Sequence, residues 1–299
     1  RPPGAVREGH RLRAVPVLEP AVLAPPPPQV RSGRVRRCSA RTGGRSRHGL
    51  GLQFWLLNFC TFFPIDITSP AKSVPTVIFL GGFKSDMEGS KAIFLENWAQ
   101  KRKRSFLRFD YSGHGQSTGD FLKLGIGDWL NDARQIIELI DNNEVILVGS
   151  SMGGWISLLL SRELGRRLKG VITIAAAPDF TEDSMWKNFT DNQKKELLDK
   201  GIIYLPSDYG EPYPITCYLI ENGRQNLVMR ESLKLHCPVR LMQGTDDTAV
   251  TRETALKLFD HIDADDLSLY FKRGADHSFS DQECLKIIEK NIEAMLELN

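Results

Sequence analysis

The sequence predicts an α/β protein: a mostly parallel central sheet flanked by helices, with a small cap insert. Three observations predict it. From Val74 onward, short apolar runs alternate with amphipathic helical patterns, the succession from which parallel sheets are built. Runs such as VPTVIFL and EVILV are nearly continuous rather than alternating, as expected of strands covered on both faces. Glycine-rich turns follow several of them, at the carboxyl ends of the strands where such sheets bind ligands.

In order, Val74 to Leu80 is rich in β-branched residues and ends at Gly81-Gly82, which makes it the first parallel strand. A helix is predicted from about Gly89 to Arg102. Ser105 to Asp110 is the next strand, closed by the turn DYSGHGQS (110–117). That turn lacks the dinucleotide fingerprint and the lysine of a phosphate loop, so it is read as structural. Residues 124–141 have the spacing of an amphipathic helix, followed by strand Glu144 to Val148, helix 152–164 and strand Gly170 to Ala176. Residues 179–235 show no sustained period and are expected to form the cap. Val239 to Met242 and Leu267 to Phe271 complete the strands, with helices near 251–262 and 280–297.

Upstream, the apolar stretch GLQFWLLNFCTFFP (51–64) has 14 residues. A membrane-spanning helix needs about 20, so no transmembrane segment is predicted. No turn pair separates QFWLLNF from FFPIDIT, and the sequence leaves a hairpin at 52–68 open. Residues 1–53 are read as a disordered Arg/Pro-rich leader and 54–299 as the folded domain. The first fifty residues hold eight of the sixteen prolines and no Phe, Trp, Tyr or Ile, too little apolar surface to offset ordering entropy. Three origins fit this leader: an organellar transit peptide, a tail that touches RNA or anionic lipid, or a mis-assigned start.

Charge divides the chain at the same place. The first fifty residues carry eleven Arg against Glu8 and Glu19, a net of +9, while the remainder carries 28 basic against 35 acidic residues. A folded part with net −7 argues against nucleic acid as a partner. Five cysteines without paired spacing favour a reducing compartment and give no metal motif, so neither metal nor cofactor is expected.

Directly after EVILV comes Gly149-Ser150-Ser151-Met152-Gly153, a Gly-x-Ser-x-Gly pentapeptide between a strand and a helix. Such a turn lifts the serine hydroxyl above the sheet, and the glycines leave room for the tight backbone. Ser151 is the predicted nucleophile. It needs a base and an orienting acid, which in this architecture follow in the order serine, acid, histidine. His277 lies just after the strand LSLYF and is the predicted general base. His10, His48, His114, His236 and His261 occupy a tail, a turn, a strand approach or a helix end. After the strand VRLM, Asp246 and Asp247 both satisfy the order, and Asp276 is read as a loop cap. The oxyanion hole is assigned to the amides of Met152, which follows the nucleophile, and Phe83, in the loop after the first parallel strand, with Gly82 as the rival to Phe83. Trp129, Trp155 and Trp186 are either acyl-pocket walls or core.

These residues resemble the α/β-hydrolase superfamily, and within it a mitochondrial acyl-protein thioesterase branch with bacterial relatives. The resemblance covers about 74–299 and rests on FLGGFKSDMEGSKA, RFDYSGHGQSTG, VGSSMGGW, LPSDYGEPYPIT, HCPVRLMQGTDD and GADH. It favours Asp247 over Asp246 as the acid, and it implies an α/β-hydrolase fold and a serine hydrolase. The implied substrates are S-acylated (palmitoyl) proteins, or small-molecule thioesters and esters such as acyl glucuronides. A mitochondrial location follows if the leader is a transit peptide, and a cytoplasmic one otherwise. Two alternatives remain: a serine peptidase of the same fold, and a non-catalytic binding module.

Overall fold

The computed structural model describes residues 52–58, 61–67, 74–140, 144–206 and 212–298. The transit-peptide, tail and mis-assigned-start readings concern the leader 1–53, of which residues 1–51 lie outside the described ones and Leu52 and Gln53 begin the first strand. The strands are β1 (Leu52–Asn58), β2 (Thr61–Ile67), β3 (Thr76–Leu80), β4 (Phe106–Phe109), β5 (Val145–Ser150), β6 (Leu168–Ile174), β7 (Ile202–Leu205), β8 (Tyr213–Thr216), β9 (Leu233–Lys234), β10 (Val239–Gly244), β11 (Ile262–Asp263) and β12 (Leu267–Lys272). The helices are α1 (Ser90–Arg102), α2 (Ile126–Glu138), α3 (Met152–Leu164), α4 (Asp191–Lys200), α5 (Cys217–Arg224), α6 (Arg252–His261) and α7 (Gln282–Glu297).

Eight strands form the central sheet in the order β1-β2-β4-β3-β5-β6-β10-β12. The last six run parallel. β1 and β2 pair antiparallel, with Asn58 opposite Thr61, and β2 pairs antiparallel with β4. The hairpin that the sequence leaves open is therefore present. Its connecting residues, Phe59 and Cys60, include no Gly, Asn or Asp by which a two-residue turn is read.

Alternate residues of the inner parallel strands enter different cores, as a period of two requires. In β3, Ile78 and Leu80 join the core beneath α2, α3 and α6, which includes Trp129, Ile136, Trp155, Leu159 and Leu258. Val77 and Phe79 join the opposite core, beneath α1 and α7. All five residues of β3 are buried, which explains why its sequence is apolar throughout. α7 places Cys284, Ile288, Ile292 and Met295 on one buried face, at spacings of four and three, and burial of each large side chain contributes roughly 1.5–3 kcal/mol. Its start is fixed by Asp281, whose carboxylate accepts from the N–H groups of Glu283 and Cys284 at 2.9 Å each.

Between β6 and β10 the chain leaves the sheet. The insert, aperiodic in sequence, contains a π-helical turn (Thr181–Trp186), α4, the antiparallel pair β7–β8 and α5. α4 buries only Leu197, so it has no apolar stripe to read. Its start is marked by a capping box, Thr190 with Gln193, and its end by the left-handed Gly201. Asp179 joins the two ends of the insert. Its buried carboxylate accepts from the N–H groups of Val228 at 2.7 Å and Met229 at 2.9 Å, and Arg230 approaches at 3.4 Å.

Candidate active site

The parallel strands deliver their following loops to one end of the sheet, and four of these loops, after β3, β5, β10 and β12, converge there. At the turn between β5 and α3, Ser151 has φ 54° and ψ −116°, a conformation L-residues seldom adopt. Its N–H donates to Ile174 O at 2.9 Å, and its carbonyl accepts from Gly154 N–H and Ala177 N–H at 2.9 and 3.1 Å. The flanking glycines are required by space. A Cβ on Gly153 would lie 2.0 Å from Leu80 O, and one on Gly149 would lie 2.2 Å from Gly153 O.

His277 comes from the loop between β12 and α7, and Asp247 from the loop after β10. Ser151 Oγ lies 3.1 Å from His277 Nε2, and His277 Nδ1 lies 2.9 Å from Asp247 Oδ2. The Asp247 side chain is fully buried while His277 retains 23% exposure. Oδ2 of Asp247 also accepts from Gln243 Nε2 at 2.9 Å, and Oδ1 from the Ala249 and Val250 N–H groups at 2.9 and 2.8 Å. Burial alone would raise the pKa of this carboxyl, but the bonds from His277, Val250 and Gln243 outweigh it and hold the group below the usual carboxylate value. The carboxylate is thus fixed in place and ionised, which sets Nδ1 of His277 as donor and Nε2 as acceptor. Asp246, equivalent in sequence position, instead donates its N–H to Ala275 O at 2.9 Å and accepts from Thr245 Oγ1. Asp276 caps its own loop by accepting from Ser278 Oγ at 2.6 Å and Phe279 N–H at 3.2 Å.

The loop after β3 packs against the serine, where a Cβ on Gly82 would lie 3.4 Å from Ser151 Cβ. Phe83 follows, and the Met152 N–H is the first of α3, where no intrahelical acceptor exists. A cavity of about 570 Å³ includes Ser151 and His277 in its wall. Phe83, Phe180, Met185 and Tyr213 belong to its apolar part, and the Phe83 ring lies 5.8 Å from that of Phe180 and 6.0 Å from that of Tyr213. Trp129 and Trp155 are fully buried in the core, and none of the three tryptophans lines the cavity.

Two contributors are not read from sequence. His114, in the Gly-rich turn, accepts from the Lys84 N–H at Nε2 (3.2 Å), with Nδ1 3.3 Å from Ser112 O. Burial pushes its pKa down to about 4, so the ring is neutral. The glycine pattern marks the turn, but nothing marks its reach to the loop carrying Phe83. Lys91, at the start of α1, also lines the cavity. Among the described residues no group of three His, Cys, Asp or Glu side chains could hold a metal ion, and no helix is long and apolar enough to cross a membrane.

Comparison with known proteins follows the same outline. Residues 71–200 match a family described as "Serine aminopeptidase, S33". The chain is 37% identical to the "Putative hydrolase" of Agrobacterium vitis S4, with a TM-score of 0.78, covering 82% of this chain and 98% of that one. Against the solved structure of α/β hydrolase domain-containing protein 10 from mouse, identity is 26% and the TM-score 0.76, over 82% of this chain and 98% of that one. The mitochondrial palmitoyl-protein thioesterase ABHD10 of Homo sapiens is 28% identical over 225 residues, 75% of this chain and 73% of its own length.

Proposed function

The chain belongs to the α/β-hydrolase family, and on that premise we propose that it is a serine esterase or thioesterase that cleaves acyl thioesters or esters through an acyl-enzyme. One observation carries the reading: Asp247, His277 and Ser151 are linked by successive contacts of 2.9 and 3.1 Å at the wall of a cavity with one apolar side. In the proposed reaction, His277 Nε2 takes the proton of Ser151 Oγ as the oxygen attacks the acyl carbon, and Asp247 holds the resulting imidazolium. The carbonyl oxygen becomes an oxyanion that accepts hydrogen bonds from the Met152 and Phe83 amides. Collapse of this intermediate transfers the proton to the departing sulfur or oxygen. His277 then removes a proton from water as it attacks the acyl carbon, and collapse breaks the bond to Ser151 Oγ, which takes that proton back from His277 as the acid leaves. The acyl chain occupies the apolar side formed by Phe83, Phe180, Met185 and Tyr213.

The palmitoyl-protein thioesterase relatives favour S-acylated cysteine as the substrate group. The family description of a serine aminopeptidase supports a second reading, cleavage of peptide amides, which demands a better-placed proton donor for the leaving amine. Fluorophosphonate labelling combined with turnover of an acyl thioester and a peptide amide tests both. We expect wild type to label and to cleave the thioester, and Ser151→Ala to do neither. Equal labelling of the two proteins would rule out Ser151 as the nucleophile, and a preference for the amide would select the peptidase. A mitochondrial address is proposed from the Arg-rich leader and the mitochondrial relatives. It predicts a mature N-terminus just ahead of β1, near about residue 50, and intact-mass measurement giving a start near Arg1 would contradict it.

A further inference from the structure

Lys91 occupies the first turn of α1, where a lysine ordinarily faces water, yet its ammonium is largely buried in the wall of the cavity. A buried cation is retained at a cost unless its donors meet acceptors. Here Nζ donates to the backbone carbonyl of Ser278, a partner 187 residues away in sequence. Ser278 directly follows His277.

The loop between β12 and α7 needs such a fastening. It contains two residues with positive φ, Gly274 at 79° and Phe279 at 46°. Asp276 stabilises it from within, and Ala275 O joins it to the Asp246 N–H beyond β10. The Lys91 contact holds it from the other side, to α1, whose Ala92 and Leu95 are fully buried against the sheet. His277 must reach Ser151 and Asp247 together, and a misplacement of about 1 Å in such an arrangement costs about 100-fold in rate.

We propose that Lys91 is a positioning residue: by holding the Ser278 carbonyl it fixes the main chain that carries His277, and so keeps the imidazole aligned between Asp247 and Ser151. This role rests on the reading of Ser151 and His277 given above. The groups facing the ammonium are Asp276, from the same loop, and the Cys284 thiol of α7. Bonding from Ser278 holds the Asp276 carboxyl below its usual pKa, so it is ionised. Burial pushes the Cys284 thiol up to about 12, so it is neutral. Burial likewise brings the Lys91 ammonium down to about 8, despite the opposing pull of Asp276. Deprotonation weakens the hold, because an ammonium donates a stronger hydrogen bond than an amine.

The test compares wild type, Lys91→Met and Lys91→Arg across pH 6 to about 10, spanning the range in which a lysine titrates. It measures the rate of Ser151 phosphonylation by a fluorophosphonate, together with kcat and KM for an acyl thioester. Lys91→Met should lose about 30-fold or more in phosphonylation and kcat, with KM within about twofold, because alignment and not ground-state binding is lost. Lys91→Arg should recover most of the rate. The wild-type rate should fall as pH rises through about 8, and Lys91→Arg should not show that fall, since a guanidinium stays charged. Rates for folded Lys91→Met within about twofold of wild type would overturn the proposal, as would the same alkaline fall in Lys91→Arg. If Lys91→Met does not fold, the Lys91→Arg profile decides. Phosphonylation requires no particular substrate. A wild type that labels but cleaves no thioester therefore refutes the functional reading while Lys91 is still judged on labelling rate.

Discussion

Burial keeps His114 neutral, and neutrality is what its acceptor role towards the Lys84 N–H requires. Its folded pKa of about 4 lies below the ordinary value of 6.5. A depressed folded value means that the unfolded chain binds the proton first as pH falls. The stabilisation is thus fully present above about pH 6.5 and is lost as pH falls towards about 4, to a total of about 3 kcal/mol. Asp132 works in the opposite sense: burial raises its carboxyl to about 6, so acid relieves a penalty there. Urea unfolding at pH 7 and pH 4, with wild type and His114→Gln side by side, separates the two. The wild type should lose more stability than the variant over this interval, and equal losses would refute the account. Among single residues, Ser151 and His277 are legible from sequence because glycines and strand ends mark their positions. Asp247 is not separable from Asp246 by order alone; the turn after β10 sends one side chain to His277 and the neighbouring N–H to Ala275. Lys91 is illegible because its acceptor is a backbone carbonyl, which carries no sequence signal.

At the scale of elements, the β5–α3 turn is a tight junction. α3 begins where the backbone of Gly153 rests against the Leu80 carbonyl of β3, so the helix carrying Met152 and the loop carrying Phe83 share one contact. Gly153→Ala must push that contact apart, since its methyl would meet Leu80 O at 2.0 Å. We expect a loss of about 3 kcal/mol in stability, read as a lower Tm, together with lost fluorophosphonate labelling in the protein that remains folded. Unchanged labelling would mean that the turn tolerates displacement. The parallel strands and α1, α2, α3 and α7 are readable because each presents an apolar run or stripe to a core. The β1–β2 pair and α4 are not: the first lacks a turn signature, and the second buries a single leucine. Their remaining clues are local, a pair of apolar runs and a capping box.

Across the whole molecule, the site depends on loops far apart in sequence, after β3, β5, β10 and β12, so no short segment contains it. All described elements belong to one compact unit, His48–Asn299, and the acidic balance of the chain beyond residue 50 belongs to it. The positive formal charge of the complete sequence is thus a property of its first fifty residues. Asp179 has a wider consequence. By accepting from Val228 and Met229, it brings the departure and return points of the insert together at the rim of the sheet. What lies between is a closed excursion, and lengthening such an excursion adds little closure entropy, about 0.6 kcal/mol per doubling. The roof of this cavity can therefore be rebuilt at little cost in closure entropy, while the sheet and the contacts among Ser151, His277 and Asp247 stay as they are.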